Sequence, residues 1–311
     1  MINYLIFILC FFFAYLFLNE YYYKVVLYET QEHEIMRGKE KSNLDWIAFG
    51  SSYCRYGLVS CEGGFNFGVA AQFLYYSDKM LREYATPCLK KNGTVYLIIA
   101  NLVFAEVGRG IYGADRYQEL LSKKTLSREY SLLKRLSLRF PLFFHPRQLK
   151  KLIDYSIKGI RSDYDTVTKN NLTEKQVTLT AKARCESWCE QFHLNNTQCD
   201  VISKELEEKF SETRDILTGM IQFCLDNKLK PILVVTPVSK IMRSMLSDAF
   251  LNKVLFNNIT LANKQNVPFL NYLDDEEFQN DLSLYYNNSD FLNARGRKIF
   301  TKKLINDTQL L

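Results

Sequence analysis

A serine hydroxyl becomes a nucleophile when a sharp turn lifts it to a rim where backbone N–H groups can hold an oxyanion and a neighbouring base can take its proton. Phe49-Gly50-Ser51-Ser52-Tyr53 offers the first half of that arrangement: residues 46–49 read as a short buried strand, and Gly50-Ser51-Ser52 as the tight turn that ends it. Bases are scarce, because the chain has only three histidines, His33, His145 and His193. His33 falls in a charged connector, His145 in Phe144-His145-Pro146-Arg147 at a predicted helix boundary, and His193 beside a group of cysteines. That group, Cys185, Cys189, His193 and Cys199, sets three side chains at i, i+4 and i+8 on one helix face, with Cys199 beyond the polar turn Asn195-Asn196-Thr197. Such a set fits a three-Cys, one-His zinc site, a local disulfide outside the cytoplasm, or free structural thiols, and it lacks the paired Cys-x-x-Cys knuckle of common zinc modules. Of eight cysteines Cys10 lies in an apolar N-terminal run, and the remaining seven, an odd number, cannot all pair within one chain.

The elements that must position these residues alternate between strand and helix. After 46–49, residues 65–68 read as a second strand, 70–89 as a helix, and 95–100 as a continuous apolar strand buried on both faces. Residues 203–227 follow as a long helix with Ser203 as N-cap, then strands at 232–235 and 267–270 and a closing helix over 293–305. This order predicts an α/β fold with a doubly wound, mostly parallel sheet, in which sites gather at the carboxyl ends of the strands: Gly50 to Tyr53, Asn101 and Thr236-Pro237. Residues 105–202 form a mainly helical insertion, too long for a plain loop, that reads as a lid.

Two segments point to a membrane. Residues 1–23 are apolar and long enough, at about 1.5 Å per residue, to cross a hydrocarbon layer of roughly 30 Å. They lack the basic leader and small cleavage-site residues of a signal peptide, so they read as a single-pass anchor with Tyr21 to Tyr23 as its aromatic belt and residues 24–43 as a connector to the domain over 44–311. Within the insertion, residues 123–161 hold eleven Lys or Arg against two acidic residues, with Leu132, Leu133, Leu136 and Phe140 as an apolar side. That pattern suits a basic amphipathic helix against lipid headgroups or an anionic glycan, or else helices with solvated basic faces. No nucleic-acid partner is expected, since the aromatics are not interleaved with the basic residues as a stacking platform requires, and no cofactor is implied. The composition, 47% apolar and 24% charged with 13 Gly and 6 Pro, suits a packed globular domain and excludes collagen-like or low-complexity chains.

Four blocks in this order resemble the SGNH (GDSL-type) hydrolase family, in its membrane-linked branch that modifies cell-surface polysaccharides. They are Phe49 to Tyr53, Gly64-Phe65-Asn66-Phe67-Gly68-Val69-Ala70-Ala71-Gln72, the stretch through Thr236-Pro237, and Asn288 to Gly296, spanning most of residues 44–301 outside the insertion. The resemblance implies an esterase or O-acyltransferase on the external, periplasmic side. It makes Ser52 the match to the nucleophile, Gly68 and Asn101 the matches to the oxyanion donors, with Ala100 where the family has glycine before the asparagine. Plainer roles for the three are a turn serine, a packing glycine and a strand-end cap.

The last block departs from the pattern. Where the family carries Asp-x-x-His, this chain has Asn288, Ser289, Asp290 and Phe291, so the orienting carboxylate is an amide and the imidazole base a phenyl ring. Loss of the proton transfer alone costs roughly a hundred- to ten-thousand-fold in rate. Asp290 is the one carboxylate left in the neighbourhood, either as a weak base or as a surface or helix-capping group. The expectation is a catalytically impaired relative that acts on or binds polysaccharide, or a non-catalytic binding protein on the same fold. A first strand at the sheet edge would point instead to an unrelated fold.

Overall fold

The computed structural model describes residues 2–26, 31–61, 63–105, 114–145, 147–158, 171–198 and 201–311. The chain forms two compact units, Met1–Arg37 with Gly110–Ser162, and Gly38–Arg109 with Asp163–Leu311. The expected insertion is therefore divided, its first part belonging with the N-terminal helix and its second with the sheet.

The larger unit is α/β, built on five parallel strands: β1 (Leu44–Phe49), β2 (Gly64–Asn66), β3 (Leu89–Ile98), β4 (Lys230–Val235) and β5 (Phe269–Asn271) in the order β2-β1-β3-β4-β5. β1 is an interior strand, its Ile47 paired with Phe65 on one side and Val95 on the other. Ile47, Ala48, Val95, Leu233 and Val234 are fully buried, which is why the later part of β1 and of β3 and most of β4 read as apolar runs rather than alternating ones, while β3 begins six residues before its expected start, on the polar stretch Lys90 to Thr94. Two long helices pack together beside the sheet, α4 (Leu74–Cys88) and α10 (Lys204–Asp226), the latter started by Ser203, whose Oγ accepts from Leu206 N at 3.1 Å. The helix expected from residue 70 starts four residues later because Ala71 takes a left-handed backbone, φ 56°. β3 stops at Ile98, leaving Ala100 and Asn101 in the turn beyond the strand. The last helix, α15 (Ala294–Gln309), is capped by Asn293, whose Oδ1 accepts from Arg295 N and Gly296 N, both at 3.0 Å.

The smaller unit begins with α1 (Ile2–Tyr21), and the run Asn3–Lys24, 22 residues of mean hydropathy 1.8, is long and apolar enough to cross a membrane. Its second segment carries the short helices α5 (Lys123–Leu126), α6 (Leu132–Arg139) and α7 (Pro141–Phe144), then α8 (Gln148–Lys158). Tyr22, Leu142 and Leu152 form a small core with Tyr15 packed against it. The basic stretch anticipated as part of a lid lies in this unit.

Candidate functional site

The turn that presents Ser52 is fixed by close packing. A Cβ on Gly50 would lie 2.7 Å from the Ile98 carbonyl oxygen and 2.9 Å from Cys54 Cβ, so only glycine lets β1 end this tightly against β3. Ser51 then opens the one-turn helix α3 (Ser52–Arg55), its carbonyl accepting from Cys54 N at 2.9 Å and Arg55 N at 3.0 Å. Asn66, fully buried at the end of β2, ties this turn to its neighbour: Nδ2 donates to the carbonyls of Cys54 (2.8 Å) and Leu58 (2.9 Å), and Oδ1 accepts from Gly68 N (2.8 Å) and Cys54 Sγ (3.0 Å). Every hydrogen-bonding position on that amide is filled, as a buried polar group requires.

Gly68 has a different role from the one its sequence position suggested. Its N–H goes to Asn66, and a Cβ there would sit 2.6 Å from Arg55 N and 2.7 Å from Cys54 Sγ, so it is a packing glycine. The N–H that does meet Ser52 is that of Ala71, 3.2 Å from Oγ. A non-glycine residue at φ 56° costs on the order of 1–2 kcal/mol, and here that strained backbone aims a donor at a hydroxyl. Asn101 is buried in the turn between Ala100 and Leu102, both of which line the hollow beside Ser52, and among the described residues its Nδ2 finds no acceptor.

That hollow measures about 230 Å³. Ser52, Tyr53, Ala71 and Gln72 form one wall, and the other comes from the helix α9 (Glu174–Phe192), which contributes Arg184, Trp188, Gln191 and Phe192. Those four stand at i, i+4, i+7 and i+8, a single helix face. The cysteine spacing drew attention to this stretch from sequence, but the face that lines the hollow is the one carrying arginine and the aromatics.

The last block meets the first through its side chains. Asp290 is 5% exposed, and its Oδ2 accepts from Tyr53 Oη at 3.2 Å and Arg184 Nε at 3.1 Å. It is neither a surface group nor a helix cap, the cap being Asn293. Burial pushes its carboxyl above the usual range, while the Arg184 guanidinium and the Tyr53 hydroxyl pull it part of the way back. Tyr53 is pushed well above its ordinary value, by burial first and then by the charge of Asp290. Phe291 is buried against Tyr53 and Tyr56, with ring centroids 5.3 and 5.1 Å apart, and the Arg184 guanidinium lies 5.1 Å from the centre of its ring and 5.5 Å from that of Trp188. The phenyl ring thus helps hold a cation by its π face. Asn288 shapes the loop, its Oδ1 accepting from Asp290 N at 3.3 Å and Phe291 N at 3.0 Å.

Among the described residues no histidine lines the hollow. His193 is exposed at the left-handed C-cap of α9, His145 is exposed after α7, and His33 belongs to α2 (Gln31–Gly38). Cys185 is a free thiol, Cys199 lies outside the described residues, and among the described residues no three His, Cys, Asp or Glu side chains gather as metal ligands. The Cys185 thiol is pushed up by burial, so it is an inert packing group.

The arrangement can therefore offer a hydroxyl, a backbone donor and a flat aromatic wall to a small polar ligand. Among the described residues Ser52 Oγ meets the Ala71 N–H, while the carboxylate of Asp290 is directed through Oδ2 at Tyr53 and Arg184 rather than at the serine. Comparison of the chain with protein-family models and with curated proteins gives no match.

Proposed function

We propose that the chain is an SGNH-related protein of the cell envelope, anchored by α1 with its larger unit on the external, periplasmic side, that holds surface polysaccharide in the Ser52 hollow without turning it over. An interior parallel strand ending in the serine turn supports the kinship with doubly wound SGNH folds. In this reading α9 is a lid whose Trp188 and Phe192 stack on sugar rings while Gln72 and Gln191 meet hydroxyls.

The observation that carries the silent reading is the bonding of Asp290. A general base must be within reach of the proton it abstracts. Among the described residues Asp290 makes no hydrogen bond to Ser52, its Oδ2 being directed at Tyr53 and Arg184, and the ring of Phe291 fills the place that the resemblance gives to imidazole. One observation favours an esterase or O-acyltransferase: the unsatisfied Nδ2 of Asn101, between two residues that line the hollow, is a donor of the kind a tetrahedral oxyanion needs. Acyl transfer through Ser52 would still need a proton acceptor.

Hydrolysis of a simple acetyl ester separates the two. The unaltered protein is expected to run at background, with Ser52→Ala no slower, while Asn288→Asp with Phe291→His gains Ser52-dependent turnover of up to roughly a hundredfold. Retention on acetylated polysaccharide should fall with Trp188→Ala. Turnover by the unaltered chain that Ser52→Ala abolishes would overturn the silent reading.

A further inference from the structure

We propose that α6 to α8 form a lipid-immersed platform beside α1, so that the smaller unit enters the membrane through two elements rather than one. Four polar side chains along one flank of α1 and the turn after it have partners inside this unit. Tyr15 Oη donates to the Leu142 carbonyl, Asn19 Nδ2 donates to the Arg139 carbonyl at 3.2 Å, and Asn19 Oδ1 accepts from Leu142 N at 3.3 Å. Glu20 pairs with Arg139 at 2.5 Å, and Tyr22 Oη donates to Gln148 Oε1 at 3.1 Å.

The positions of these contacts set the depth. Tyr15 lies nine residues before Lys24, roughly 13 Å along the helix, and the ring of Phe143 packs edge-on against it at 4.4 Å and against Phe12 at 6.2 Å. If Asn3–Lys24 spans a bilayer, the break between α6 and α7 sits inside the hydrocarbon layer. Backbone groups freed at a helix break are tolerated at that depth only where protein partners satisfy them. Asn19 and Tyr15 satisfy those of Arg139 and Leu142 here, which gives a buried asparagine in an apolar span its purpose.

The outer surface fits the same surroundings. Leu133, Phe144, Ile153 and Ile157 are 67, 44, 52 and 75% exposed, continuous in character with the exposed Phe7 and Phe13 of α1. In water such a patch is a liability; against acyl chains it is ordinary. Lys134, Arg135, Arg147 and Lys150 supply the positive charge that anionic headgroups attract, and Arg139 is neutralised by Glu20. A glycan would match the charge and leave the apolar face without a partner, so the occupant is a phospholipid bilayer.

Photocrosslinking of the full-length chain in vesicles of phosphatidylcholine and phosphatidylglycerol tests this. Benzoylphenylalanine is placed singly at Phe144 or Ile153, with Phe7 of α1 and exposed Leu261 of the larger unit for comparison. Phospholipid adducts at Phe144 and Ile153 are expected at yields close to that at Phe7 and several-fold above Leu261, with circular dichroism unchanged. Yields at Phe144 and Ile153 no higher than at Leu261, or crosslinks there to a second copy of the chain, would overturn the platform. Loss of the Phe7 adduct as well would overturn the span along with it.

Discussion

Replacing Asp290 separates what its oxygen does from what its charge does. Asp290→Ala removes the acceptor for Tyr53 and Arg184. Arg184 is 37% exposed along its side chain and can turn to water, whereas the Tyr53 hydroxyl is buried and stays unsatisfied. Leaving a buried donor without a partner costs about 1–3 kcal/mol, and the small void adds to it, so a loss of about 2–3 kcal/mol is expected. At roughly 2–4 °C per kcal/mol, thermal unfolding of the detergent-solubilised chain should fall by roughly 4–12 °C. Asp290→Asn keeps an oxygen acceptor and carries no charge, so it should cost well under half as much. The pH dependence adds a sign. Burial raises the carboxyl, so the folded chain holds that proton more tightly than the unfolded one; the stability this confers is complete below the unfolded value, about 3.9, and is lost as pH rises through the folded value. The stability of Asp290→Asn relative to the unaltered chain should therefore improve as pH rises from about 4 toward neutrality. Equal losses for Ala and Asn, or a relative stability that moves the other way with pH, would refute the buried-acceptor picture.

Two further substitutions test the serine turn. Gly68→Ala forces a methyl to within 2.6 Å of Arg55 N, a backbone atom that cannot give way cheaply, and should lower stability by about 1–3 kcal/mol in denaturant titration. Ala71→Gly relieves a left-handed backbone of about 1–2 kcal/mol and loosens the unfolded chain by about 0.4–1 kcal/mol, so it should leave stability unchanged or raise it by up to about 1.6 kcal/mol, whereas Ala71→Val should lower it.

The strands were legible in the sequence where β1, β3 and β4 are buried on both faces and read as apolar runs, whereas the polar, exposed start of β3 carried no such signal. The serine turn was legible for the same reason, since Gly50-Ser51-Ser52 stands where an apolar strand stops. Contacts of long sequence separation were not. Tyr53 and Asp290 lie 237 residues apart, and Arg184 and Asp290 lie 106 apart, so no spacing rule could place them together. Asp290 looked like a capping residue because it precedes a helix, but Asn293 stands nearer and takes the cap, leaving the carboxylate to turn inward. Gly68 looked like an oxyanion donor until Asn66, two residues earlier, is seen to accept its N–H. The division of residues 105–202 was hidden because both parts are helical.

The claim at the centre of this account is that Ser52 is a hydroxyl without a base. Incubation of the full-length protein with an excess of a fluorophosphonate, which phosphonylates only activated serines, followed by mass spectrometry of the intact chain and its Ser52 peptide, tests it most directly. No adduct is expected on Ser52 in the unaltered chain, and one is expected after Asn288→Asp with Phe291→His. A stoichiometric Ser52 adduct in the unaltered chain, absent from Ser52→Ala, would contradict it.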